Sequence, residues 1–177
     1  TMEEWWRTHF ELLIHSGLNK KDIENVIDLQ NIPLKLGTQE FFDYTRRHDI
    51  PVVVMTATGL GGDAVCLYLD KAGIDRSNVY VIGNFITWDS TEKSVSYREP
   101  VIHSLNKDET LVRNFPDIYK TIKERKNVFL LGNTLTDPGM LEGFDYNSVI
   151  EVGFLNDSTA EKLKEAGYLD KTSNQPR

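Results

Sequence analysis

The chain has 177 residues, 40% of them hydrophobic and 27% charged, with a formal net charge of −7. That size suits one domain with a substantial core. The acidic balance argues against a nucleic-acid partner, because the basic clusters, Lys20-Lys21, Arg46-Arg47 and Lys123 to Lys126, are short and scattered and form no basic stripe.

One cysteine, Cys66, excludes an intrachain disulfide and fits a reducing compartment; its apolar neighbours mark it as a packed core thiol. No apolar run nears the ~20 residues of a membrane span and no signal peptide is visible, so the expected location is cytoplasmic, without membrane insertion.

The first ~45 residues read as helical. Trp5, Trp6, Phe10, Leu13 and Ile14 recur at helical spacing up to Ser16-Gly17. Asn19 is placed to cap a second helix carrying Ile23, Val26 and Ile27, with Asp22 in its first turn. Pro33 and Gly37 punctuate, and Thr38 is read as the cap of a third helix reaching about His48. At residue 51 the period changes. Pro51-Val-Val-Val-Met55 is too hydrophobic for a half-exposed strand and reads as a central parallel one. A glycine-rich turn, Thr56 to Gly62, leads into a helix over about 63–72, and 78–83 is the next strand. Residues 84–102 form a β-rich excursion folded about Asp89-Ser90. A helix over roughly 109–125 precedes a strand at 127–131, a short helix near 137–143 and a strand at 148–153. From about Lys171 the chain is polar and reads as frayed. Buried strands alternating with helices imply a doubly wound, Rossmann-like α/β sheet.

Three segments carry polar groups where such sheets bind ligands, at the carboxyl ends of strands. Between Thr56 and Gly62 the glycines permit a tight turn whose N–H groups can face an anion; a plain strand-to-helix turn is the alternative. The spacing matches neither a P-loop nor the dinucleotide fingerprint, which sets aside a redox or methyl-transfer enzyme. Lys107, after Ile102-His103-Ser104-Leu105-Asn106, can pair with phosphate as a point charge or be a solvated surface group. His103 reads as an ordinary core or surface histidine. The strand at 127–131 runs through Leu131-Gly132 into Asn133, Thr134, Thr136 and Asp137. Asp137 and the Asn133 carbonyl can offer oxygens to a hard cation, or serve as cap and turn residues.

In order and spacing these segments resemble the haloacid-dehalogenase-type phosphohydrolases, and within them the pyrimidine 5′-nucleotidase, or cytosolic 5′-nucleotidase III, family. The resemblance rests on Met2-Glu-Glu-Trp-Trp6 with Thr8-His9, Phe41-Phe42 before Ile50-Pro-Val-Val, and Thr56-Ala57. It continues through Asn106-Lys107, Gly132-Asn-Thr with Asp137, and Gly153-Phe-Leu-Asn-Asp157, and so spans almost the whole chain. It implies Mg²⁺-dependent hydrolysis of nucleoside 5′-monophosphates through an aspartyl-phosphate. Thr56, Ala57 and Lys107 would hold phosphate, Asp137 and more weakly Asn133 would hold Mg²⁺, and Trp5, Trp6 and His9 would face the nucleotide from a cap.

Residues 1–45 would then be the later part of that helical cap, and 46–177 a phosphohydrolase-like core lacking its first strand. The family's opening Asp-x-Asp-x-Thr segment, which carries nucleophile, acid/base and two metal contacts, has no match in these 177 residues. Asn133 stands where the family usually has Asp. The expectation is therefore a family member inactive as an isolated chain. The alternative is a degenerate member acting as a structural or binding subunit of a larger protein assembly. Thr56 and Asn133 are expected on one edge of the sheet.

Overall fold

The computed structural model describes residues 1–30 and 32–154. Leu155-Asn156-Asp157 and the polar tail from Lys171 lie outside the described residues.

Three helices come first: α1 (Met2–His15), α2 (Lys20–Gln30) and α3 (Thr38–Arg47). Gly17, at φ +76°, takes the left-handed conformation that ends α1. Asn19 caps α2 as expected: its Oδ1 accepts the Lys21 amide at 2.9 Å, while Asp22 accepts the Asn19 amide in return. The start of α3 differs from expectation. The cap position is Gly37 at φ +86°, and Thr38 is already inside the helix.

The β segments follow the predicted order. Strands β1 (Val52–Met55) and β2 (Val79–Ile82) pair in parallel, joined by α4 (Gly61–Lys71). The excursion is an antiparallel hairpin of β3 (Ile86–Trp88) and β4 (Ser94–Tyr97). Its turn is organised by Asp89, which accepts the Thr91 and Lys93 amides. The helix expected over 109–125 is two, α5 (Glu109–Arg113) and α6 (Pro116–Ile122). Pro116 explains the break: it has no N–H for a continuing helix, but it fits the first position of a new one. Strands β5 (Asn127–Gly132) and β6 (Ser148–Gly153) form a second parallel ladder, with a short 3-10 helix, Asp137–Leu141, between them.

Along β1 the side chains alternate between two cores. Val52 and Val54 pack with Phe42 of α3 and Val65, Tyr68 and Leu69 of α4. Val53 and Met55 pack with Ile82, Ile102, and Leu111 and Val112 of α5. Helices thus cover both faces of a parallel pair, the doubly wound arrangement. Ile82 and Ile102 are fully buried, each contributing roughly 2 kcal/mol of transfer free energy. A third cluster, Ile23 with Ala64 and Ile86, joins α2 to α4 and β3.

The two parallel ladders are paired separately rather than as one continuous sheet. They are nevertheless tied near their amino ends, where Arg125 donates to the Asp49 carbonyl at 3.0 Å. Past the carboxyl end of β5, Asp137 meets Lys107 of the segment that follows the hairpin at 2.9 Å. No helix among the described residues is long and apolar enough to cross a membrane.

Candidate functional site

The site begins with Thr56, where β1 ends. Its amide donates to the Ile82 carbonyl, and its hydroxyl accepts the Thr58 amide at 3.2 Å. Gly83, just past β2, lies so close that an added Cβ would stand 2.9 Å from the Thr56 methyl. The glycine-rich turn is more committed to the fold than its sequence suggests. Gly61 N–H donates to the Thr58 carbonyl at 3.1 Å and Gly62 N–H to the Asn84 carbonyl at 2.7 Å. Those two amides, expected to be open to an anion, already have internal partners. Ala57 packs on the Ile82–Ile102 core.

Lys107 is not a solvated surface group: its side chain is 11% exposed and its Nζ donates to Asp137 Oδ1. The turn before it is built by side chains. Asn106 accepts the His103 amide at 2.8 Å and donates to the Val101 carbonyl at 2.9 Å. His103 Nδ1 accepts the Leu105 amide, so this histidine belongs to the turn.

Asp137 is 4% exposed. Its Oδ2 accepts the Asn133 and Thr134 amides at 2.8 and 2.9 Å, while Oδ1 takes Lys107. Burial works against ionisation, but Lys107 and the two amides outweigh it and hold the carboxyl at about 2. Gly132 is required beside it, since a Cβ there would fall 2.6 Å from the Asp137 side chain.

These contacts decide how well the residues suit Mg²⁺. A carboxylate oxygen has about two lone-pair sites, so Oδ2 is saturated and Oδ1 keeps one. Asn133 adds only a neutral amide oxygen. Among the described residues no three His, Cys, Asp or Glu side chains gather as a metal site. This donor set does not make an Mg²⁺ site by itself, and Asp137 stands primarily as the anchor of Lys107.

Helix α1 reaches the glycine-rich turn through His9, whose Nε2–H lies 2.9 Å from the Gly59 carbonyl. Trp6 packs edge-on to His9 and stacks on buried Phe10, which makes it a packing residue. Trp5 is 59% exposed and, with Thr8, His9 and Leu12, lines an open recess of about 400 Å³. So the structure brings His9 and Trp6 to the turn after Thr56, and Lys107 to Asp137 and Asn133.

Two side chains that the motif reading passed over knit these parts together. Asp63 accepts the Ile86 amide and the Trp88 indole N–H, fixing the hairpin to α4. Asn84 joins the glycine-rich turn to the Lys107 segment. The available sequence signal for Asn84 was a polar side chain amid the apolar run from Val79 to Ile86.

The fold is that of a doubly wound α/β protein, a class that binds ligands at the carboxyl ends of its parallel strands, where Thr56 and Asn133 follow β1 and β5. More narrowly, the chain belongs to the pyrimidine 5′-nucleotidase (UMPH-1) family, whose sequence profile matches residues 1–172. It is 28% identical over 170 residues to the 7-methylguanosine phosphate-specific 5′-nucleotidase of Gallus gallus, covering 96% of this chain and 57% of that protein. The Drosophila melanogaster protein of the same name is 29% identical over 170 residues, covering 96% and 52%. Among solved structures, cytosolic 5′-nucleotidase IIIB bound to cytidine matches with a TM-score of 0.75 and 25% identity, over 93% of this chain and 55% of that one. The chain thus spans about half the length of the relatives it matches.

Proposed function

We propose that this polypeptide carries the phosphate-binding half of a nucleoside 5′-monophosphate phosphohydrolase site. The observation that supports it most directly is the buried Lys107–Asp137 pair beside the carboxyl end of β5. A lysine costs free energy to bury, and here its ammonium is fixed by a carboxylate that two backbone amides hold in place. Fixed cationic charge of this kind stabilises a phosphoryl group, whose transfer depends mainly on positioning and electrostatics. Thr56 would supply a hydroxyl to the same group. Trp5, beside the open recess on α1, would give a nucleobase a flat apolar face. Mg²⁺ when bound would neutralise phosphate charge, but it needs carboxylates beyond those described here.

Titration with inorganic phosphate and with nucleoside monophosphates, followed calorimetrically, tests this reading. Wild-type protein is expected to bind, with Lys107→Met and Thr56→Val each weakening affinity about 10-fold or more. Binding of equal strength in Lys107→Met would overturn it.

A second reading, a binding or structural subunit without turnover, is favoured by Asn133 and by the committed oxygens of Asp137. The two part company in a phosphate-release assay, taken up below.

A further inference from the structure

We propose that Asn84 is the positioning residue that sets where Lys107 stands relative to the turn after Thr56. This rests on the phosphate-site reading only for its consequence, since the geometry concerns the two protein segments themselves. Asn84 is 1% exposed and stands two residues past the end of β2, after Gly83. Its side-chain amide makes a two-point clamp on one residue of the next segment: Nδ2–H donates to the Ile102 carbonyl at 2.9 Å, and Oδ1 accepts the Ile102 amide at 2.7 Å. Its backbone carbonyl meanwhile accepts the Gly62 amide at the start of α4. One residue therefore touches the end of the glycine-rich turn on one side and the Lys107 segment on the other.

Beyond Ile102 the connection continues without slack. Val101 and His103 flank the clamped residue, and both are bonded to the Asn106 side chain. Lys107 is next in the chain, and its Nζ is received by Asp137. A buried amide with both ends satisfied is rigid and specific in register, because any slip strands a polar group away from water. Strand pairing does not supply this registration, since 101–107 belongs to no strand. Without the clamp, the near end of the segment is held by the packing of Val101 and Ile102, which is non-directional, and only its far end keeps a directional tie, through Lys107 to Asp137.

The test follows the Lys107 εCH₂ signal by NMR in protein carrying ¹³C-lysine, assigned by its loss in Lys107→Arg. Asp137→Ala gives the reference position for a detached lysine. Burial raises the pKa of an Asp in place of Asn84, so the comparison starts at about pH 9, where the ionised carboxylate faces the Ile102 carbonyl and Asn84→Asp is expected to move the signal at least half way to that reference. As the pH falls toward about 5, burial favours the neutral acid, whose O–H and C=O reproduce the amide's donor and acceptor; the signal is expected to return toward wild type. Asn84→Ala has no group to recover and stays displaced at both pH values. Folding of each variant is checked by circular dichroism, and Asn84→Ser, which keeps one hydroxyl for Ile102, replaces any that does not fold. A folded variant with the Lys107 signal unmoved would overturn the proposal. So would displacement in Asn84→Asp that ignores pH, because it would show only a generally loosened core. Addition of inorganic phosphate to the wild type, read on the same signal, judges the phosphate site separately: no response there removes that reading and leaves the clamp to be decided by the variants.

Discussion

Asp137 gives the sharpest expectations about single residues. Its carboxyl is held at about 2, against about 4 in an unfolded chain. A depressed folded-state value contributes stability that is complete above the unfolded value and is lost as pH falls through the folded one. Stability should therefore decline between about pH 4 and pH 2 by on the order of 2 kcal/mol from this group. Urea denaturation across that range should show the decline in wild type and a shallower one in Asp137→Asn. At neutral pH, Lys107→Met leaves a buried carboxylate without its cation and is expected to cost roughly 2–4 kcal/mol. Asn133→Asp tests the metal reading from the other side. It restores a full charge beside Asp137, so Mg²⁺ should raise its thermal midpoint while leaving that of wild type nearly unchanged. Equal Mg²⁺ stabilisation of both would show that the donor set is richer than its contacts indicate. Thr56, Lys107 and Asp137 were all named from the chain as candidates, and the folded structure brings Lys107 and Asp137 together. That Asp137 spends its oxygens on Lys107 and two amides was not, because the pairing closes a 30-residue separation only in the folded state.

Among elements, the strands were the most legible, and the physics explains why. β1 is a short β-branched run, β2 and β5 are apolar runs ended by glycine, and such patterns fit a sheet covered on both faces. The split at Pro116 was written in the sequence but hidden by helical spacing on either side of it. The glycine-rich turn was legible as a turn, but the commitment of its Gly61 and Gly62 amides to the fold was not. Gly61 lies at φ +78°, and a Cβ there would come 2.3 Å from the Asn84 carbonyl; a Cβ on Gly62 would strike the Phe85 ring at 2.6 Å. These glycines exist for close packing of α4 against the chain leaving β2. Gly61→Ala is therefore expected to destabilise by about 1–3 kcal/mol in chemical denaturation, from the strained backbone and the contact together. Its cost should exceed that of Gly139→Ala, where an added Cβ meets nothing within 4 Å. Comparable losses at the two positions would show that the turn yields easily.

At the scale of the whole molecule, the described residues hold two parallel ladders tied near their amino ends, with helices on both faces of the first. The second is less covered: Phe129 on β5 and Val149, Ile150 and Val152 on β6 are exposed, although parallel strands normally sit inside a protein. What the assembled residues can do chemically is bounded by what they contain. In the proposed reading Lys107 and Thr56 hold phosphate, but covalent transfer also requires a nucleophile in line with phosphorus, and positioning that nucleophile supplies much of the acceleration. These 177 residues contain no Asp-x-Asp-x-Thr segment, and Asp137 is engaged on both oxygens. The 177-residue polypeptide on its own is accordingly expected to release no phosphate from nucleoside monophosphates above background, with or without Mg²⁺. A sensitive phosphate-release assay, run beside Asp137→Ala protein purified in the same way, checks this. Turnover that disappears in Asp137→Ala would overturn the expectation, because it would show that the chain supplies its own catalytic group. Turnover that survives the substitution unchanged belongs to a contaminating phosphatase, because removal of Asp137 releases the lysine on which the proposed site depends.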